Sequence, residues 1–174
     1  VFDEIQTGVG RTGTLWACEQ SGVVPDMLTT AKGVANGLPL GATLCADWIA
    51  EADPEHGSTF SGGPVVCAAA NATLDTIVEE DVPAHAADVG EYLMGELGAL
   101  ADDDEVPVRE VRGQGLMIGA EVKRGANRVL RDLALDHGVL ALPAGRTVVR
   151  LLPPLIVDRD HADRVVDAIE EVLS

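Results

Sequence analysis

The sequence predicts an α/β fold. Three observations predict it: short apolar strand-like runs early in the chain, helical apolar stripes between and after them, and a length of 174 residues that can bury a real core. The runs are Val1–Asp3, Met27–Ala31 and Ala42–Ala46. Short apolar strands with helical connections indicate a parallel sheet covered on both faces.

In chain order, Val1–Asp3 reads as the end of a buried strand, followed by a glycine-rich turn and a short helix near Leu15–Gln20. Met27–Ala31 and Ala42–Ala46 supply the next strands. Pro64–Glu79 is alanine-rich and helical, and Pro83 fits the first turn of a helix reaching Leu100, with Ala87, Leu93, Met94, Leu97 and Leu100 at helical spacing. Asp102–Glu105 closes that helix as a solvated acidic loop. The character then changes. Val106–Val111 and Leu116–Val122 read as strands joined in a hairpin through Gly113-Gln-Gly115. Asn127–His137 is helical, with Leu130, Leu133 and Ala134 on one face, and ends at Gly138. Val139–Leu142 and Thr147–Leu152 read as strands, the second stopped by Pro153-Pro154. Asp160–Leu173 carries an apolar stripe that core packing explains. A boundary near residue 80 follows, with residues 1–80 forming part of an α/β layer and 81–174 a small α+β domain. Val1 already sits mid-strand, so the chain is expected to be a piece of a longer polypeptide.

Composition excludes several function classes. A formal net charge of -17 argues against a nucleic-acid partner, which needs a basic stripe to release counterions. No apolar run is long enough to span a bilayer, and no charged start followed by an apolar stretch resembles a signal peptide. Ten of the 12 basic residues are arginine. An acidic, lysine-poor surface over an apolar interior matches proteins of a salt-loaded cytoplasm, where ions screen self-repulsion. An acidic enzyme from a GC-rich genome is the alternative. Cys18, Cys45 and Cys67 form no C-x-x-C pair and suit a reducing cytoplasm, with Cys45 and Cys67 expected as small hydrophobes. His56, His85, His137 and His161 are widely spaced, so no metal site is expected.

Two residues carry the chemistry. Lys32 ends the apolar stretch Met27-Leu-Thr-Thr-Ala-Lys32-Gly33, and Asp3 ends the opening strand. A lysine amine that can act as nucleophile and a carboxylate that can hold a protonated ring nitrogen are the two groups pyridoxal phosphate needs most. Lys123 is the only other lysine. Partial desolvation of Lys32 would expose its neutral amine. Gln6 can hydrogen-bond a ring hydroxyl, and Ser58-Thr59-Phe60-Ser61-Gly62-Gly63-Pro64 precedes a helix whose amides can face a phosphate. A generic helix cap is an equal reading of that loop. Gly8-Val-Gly10-Arg-Thr-Gly13 also matches a dinucleotide-binding pattern. Against it, four residues separate the strand from the first glycine, the next helix is weak, and no acidic strand end follows about 20 residues on.

Val1-Phe-Asp3-Glu-Ile-Gln6-Thr-Gly8-Val-Gly-Arg11-Thr-Gly13, Thr30-Ala-Lys32-Gly33 and Ser58-Thr59-Phe60 together resemble the class III (fold type I) pyridoxal-phosphate aminotransferases. Arg109-Glu-Val-Arg-Gly113-Gln-Gly115-Leu-Met-Ile-Gly119 and Val148-Val-Arg150-Leu-Leu-Pro-Pro154 extend the likeness over essentially the whole chain. It is most similar to the acetylornithine aminotransferases, especially the branch acting on lysine or ornithine held on an acidic amino-group carrier protein. Phe60-Ser61-Gly62-Gly63-Pro64 departs from the family's Phe-Gly-Gly-Asn-Pro but keeps Thr59.

The resemblance implies a fold type I architecture, with part of the large-domain parallel sheet followed by the small domain. It also implies a cytoplasmic homodimer. Asp3 would pair with the pyridine nitrogen, Gln6 with the ring hydroxyl, and Lys32 would hold the cofactor. Thr59 would bind its phosphate across the dimer interface, and Arg150 would clamp the α-carboxylate of glutamate or 2-oxoglutarate. Arg11 and Arg146 are weaker candidates. The implied reaction passes the terminal amine of an ornithine- or lysine-type donor to 2-oxoglutarate, in arginine or lysine biosynthesis. The family's chains are longer and carry more of the pocket upstream, so this polypeptide alone is expected to be inactive. The rivals are another class III enzyme (an ornithine or 4-aminobutyrate aminotransferase), a nicotinamide-binding domain, and a non-catalytic remnant that only dimerises.

Overall fold

The computed structural model describes residues 1–52, 57–103 and 105–174; His56 and Asp104 lie outside the described residues. The chain forms two compact units, Val1–Ala84 and His85–Ser174, and the division falls inside one helix.

The first unit holds a three-stranded sheet in the order β1 (Phe2–Asp3), β2 (Met27–Thr30), β3 (Ala42–Cys45). β1 and β2 are parallel, with Phe2 opposite Leu28 and Asp3 opposite Thr29. β3 runs antiparallel to β2, which corrects the expectation of a wholly parallel sheet. Residues 31–41 hold only the 3₁₀ turn Lys32–Ala35, and a parallel return needs a crossover of a dozen residues or more. All four residues of β3 are exposed, Cys45 among them, while Cys18 is buried and Cys67 half-buried. The expectation that Cys45 packs as a buried hydrophobe therefore fails. A 3₁₀ helix, Ala17–Ser21, replaces the expected short helix, and α1 (Asp47–Ala52) was not expected at all.

α2 (Pro64–Glu79) starts with proline at its first position, where the missing N–H costs nothing, and buries Ala70 and Ile77 two turns apart. It packs against the Lys32–Ala35 turn. Val9, Cys18, Leu28, Val34 and Ala35 are the other buried apolar residues around this sheet.

The second unit holds an antiparallel sheet in the order β4 (Val108–Gln114), β5 (Met117–Val122), β7 (Val148–Leu151), β6 (Leu142–Ala144). Gln114 pairs with Met117, so the hairpin loop is the two residues after Gln114; β4 starts later and runs three residues further than expected, while β5 starts one residue later. Strand β5 alternates, with Ile118, Ala120 and Val122 buried. Helices α3 (Val82–Asp102), α4 (Ala126–Asp136) and α5 (Arg159–Leu173) supply Leu93, Leu97, Val129, Leu133, Val166 and Ile169 to one core with this sheet. On α3 the inward residues include Ala86 and Val89; Ala87, expected inside, is exposed. Helix α5 is capped by Asp158, whose side chain accepts from the His161 amide at 2.9 Å.

The expected strand at Val139–Leu142 is displaced to Leu142–Ala144. Val139 is taken up in closing α4: its amide donates to the Leu133 carbonyl at 3.0 Å, across Gly138 at φ 68°. Pro143 then falls on an edge strand, where a missing donor is tolerated.

Candidate active site

Asp3 ends β1 and Lys32 lies just past the C-terminal end of the parallel neighbour β2, the end at which open α/β sheets bind ligands. The Asp3 carboxylate receives the Ile5 amide at 3.0 Å and the Thr29 hydroxyl at 3.4 Å, both on Oδ1. Its Oδ2 takes no protein donor among the described residues. The cross-strand register makes this possible, because Thr29 is the residue opposite Asp3.

Lys32 stands at φ 40°, in left-handed backbone that a residue with a Cβ rarely adopts. Such a conformation costs on the order of 1–3 kcal/mol and concentrates at functional positions. The side chain is exposed, so the described residues do not supply the desolvation expected from the sequence. The following 3₁₀ turn buries Val34 and Ala35 instead. Thr30, two residues earlier, is buried with its hydroxyl unpartnered.

Gln6 is half-buried in the turn after β1. That turn closes through Gly8, whose amide donates to the Glu4 carbonyl at 3.0 Å. A Cβ on Gly8 would lie 2.7 Å from the Trp16 ring and 2.9 Å from the Glu4 carbonyl oxygen, so only glycine fits. Glu4 itself is buried, and its carboxylate accepts from the Thr7 hydroxyl and the Cys18 amide. Glu4 is not among the site residues read from the sequence, because the partner that completes its pairing, Cys18, is distant along the chain. Burial and then the Glu4 charge push the Cys18 thiol pKa up. Burial likewise lowers the pKa of the half-buried Arg11.

Thr59 is exposed in the turn before α2, the helix that packs against the lysine turn. Gly63 caps that helix with no side-chain hydrogen bond. Within the first unit Asp3 and Gln6 thus lie at and just after the end of β1, Lys32 just after the end of the neighbouring β2, and Thr59 on the loop leading to α2. Arg150 belongs to the second unit, on β7 opposite Gly119. Its guanidinium Nε is buried without a hydrogen-bond partner, a donor that a carboxylate would satisfy. Arg146 is exposed. The glycine-rich segment after β1 leads into a 3₁₀ helix of five residues, not the α-helix a dinucleotide site needs. Among the described residues no group of three His, Cys, Asp or Glu side chains could hold a metal ion, and no helix is long and apolar enough to cross a membrane.

Residues 1–173 match the family model described as aminotransferase class-III. The chain is 43% identical over 171 residues to the acetylornithine aminotransferase of Methanosarcina mazei, covering 98% of this chain and 42% of that one. It is 42% identical over 176 residues to a [LysW]-aminoadipate semialdehyde transaminase of Deinococcus radiodurans, covering 100% of this chain and 40% of that protein. The fold matches the ornithine aminotransferase of Toxoplasma gondii, crystallised with partial occupancy of PLP, at a TM-score of 0.89 and 30% identity, over 98% of this chain and 41% of that one. The chain spans about two-fifths of the length of each of these proteins.

Proposed function

The chain belongs to the class III aminotransferases, and from that premise we propose that the full-length protein carries out pyridoxal-phosphate-dependent transamination. The terminal amine of an ornithine- or lysine-type donor, N-acetylated or carrier-linked, passes to 2-oxoglutarate, in arginine or lysine biosynthesis. The observation that carries this reading is the placement of Asp3 at the end of β1 and of Lys32 just past the end of the parallel neighbour β2, with the lysine in strained left-handed backbone.

The residues fit the cofactor. Asp3 offers an oxygen, Oδ2, to which no donor among the described residues is bound, suited to a protonated ring nitrogen. Gln6 would meet a ring hydroxyl and Lys32 would hold the group through Nζ, while Thr59 would bind the phosphate of the cofactor held by the second copy, across the dimer interface. When bound, pyridoxal phosphate supplies an electron sink that lets a C–H bond beside the amine break heterolytically. Lys32 Nζ, when its amine is free, would hold and move the proton released from the amine-bearing carbon of the donor. Arg150, with its buried unpartnered Nε, clamps the α-carboxylate of the acceptor. Exposed Trp48, Phe60 and Val65 in the first unit support a homodimer in which a second copy covers them. The names of the relatives, acetylornithine aminotransferase and [LysW]-aminoadipate semialdehyde transaminase, support an acetylated or a LysW-linked donor.

A donor screen on the full-length protein with 2-oxoglutarate tests the reading. Glutamate should form with N-acetylornithine or a carrier-linked donor in preference to free ornithine or 4-aminobutyrate. The 174-residue chain alone should give none. Robust turnover by the short chain, or preference for 4-aminobutyrate, would overturn the corresponding part.

A further inference from the structure

Glu4 is the only charged side chain among the described residues that is fully buried, at 1% exposure. All its polar atoms are engaged within the first unit. Its amide donates to the Thr29 carbonyl at 2.8 Å, and its carbonyl accepts from the Gly8 amide at 3.0 Å. Oε1 accepts from the Cys18 amide at 2.8 Å, and Oε2 from the Thr7 hydroxyl. One residue thereby joins β1, β2, the turn after β1 and the Ala17–Ser21 helix. Burying a carboxylate is costly, and an apolar residue would fill the same space without that cost. What the carboxylate provides is the connection.

The chain order says what is being connected. Asp3 immediately precedes Glu4, and Gln6 lies between Glu4 and its hydroxyl partner Thr7. Both residues assigned to the cofactor ring are therefore carried by the segment that Glu4 ties down. We propose that Glu4 is a positioning residue for transamination, fixing Asp3 and Gln6 relative to each other and to β2 so that they meet the pyridine ring together. It touches neither cofactor nor substrate; it acts through the backbone on either side.

The assignment rests on the aminotransferase reading, so it is tested in the full-length enzyme against its own wild type. Glu4→Ala should lower kcat on the order of 10²-fold, the cost of misplacing a catalytic group by about an ångström. It should also shift the pH titration of the lysine-bound chromophore, because Asp3 no longer meets the ring nitrogen squarely. In the apoenzyme, hydrogen exchange should quicken across residues 6–10. Glu4→Gln keeps an acceptor for the Cys18 amide and a donor for the Thr7 oxygen, and should restore both kcat and titration. Thr7→Val removes one of the two side-chain bonds and should give a smaller loss of the same kind, which keeps the test decisive if Glu4→Ala fails to fold. A lowered melting temperature with unchanged kcat and unchanged titration in the folded variants would overturn the assignment. A wild-type enzyme without any lysine-linked chromophore would instead overturn the aminotransferase reading beneath it.

Discussion

Lys32 was legible from the sequence as a rare lysine ending an apolar run, but its backbone was not. Nothing in Thr30-Ala-Lys32-Gly33 announces that the lysine, not the glycine after it, takes the left-handed conformation at φ 40°. Local propensity favours glycine there by about 1–2 kcal/mol, so tertiary packing of Val34 and Ala35 has overridden it. Replacement therefore has an unusual ranking. Lys32→Gly should be more stable than Lys32→Ala by roughly 0.5–1 kcal/mol, the relief of left-handed strain less glycine's extra unfolded-state entropy. Chemical denaturation of the two variants measures this, and an alanine variant as stable as the glycine one would contradict it. Glu4 was illegible for a different reason. A buried carboxylate is recognisable only once its partners Thr7 and Cys18 are seen to converge, and Cys18 lies 14 residues away.

Among the elements, those with strong periodicity or proline and glycine punctuation were read well. α2 begins at Pro64, and α5 follows the Asp158 cap. Strand direction and edge strands were read poorly, because pairing is non-local: β3 is antiparallel, and β6 starts at Leu142 because Val139 closes α4. Contacts between helices were equally invisible. Tyr92 on α3 donates its hydroxyl to Asp163 on α5 at 2.6 Å, while Arg159 lies 4.9 Å over the Tyr92 ring and pairs with Asp88 at 3.0 Å. The bond to Asp163 is the largest cause that pushes the Tyr92 phenol from 10.0 up to about 12. The sign follows: the raised folded pKa gives stability that is complete below about pH 10 and is lost as pH rises through about 12. Unfolding followed by circular dichroism should find wild type more stable than Tyr92→Phe at neutral pH, with the gap closing across that alkaline window. A gap independent of pH would contradict the link.

For the molecule as a whole, charge and length are the informative quantities. A net charge of -17 on 174 residues stores self-repulsion that salt relieves, and we propose that the protein works in a salt-loaded cytoplasm. Its melting temperature should rise between low and molar KCl; a flat response would remove the proposal. The chain matches relatives along its whole length and spans about two-fifths of theirs. The chemistry we propose for Lys32 and Asp3 in the full-length protein has a direct test. Borohydride reduction of the full-length protein, followed by peptide mapping, should place a pyridoxyl label on Lys32. A label on Lys123, or none, would contradict the account.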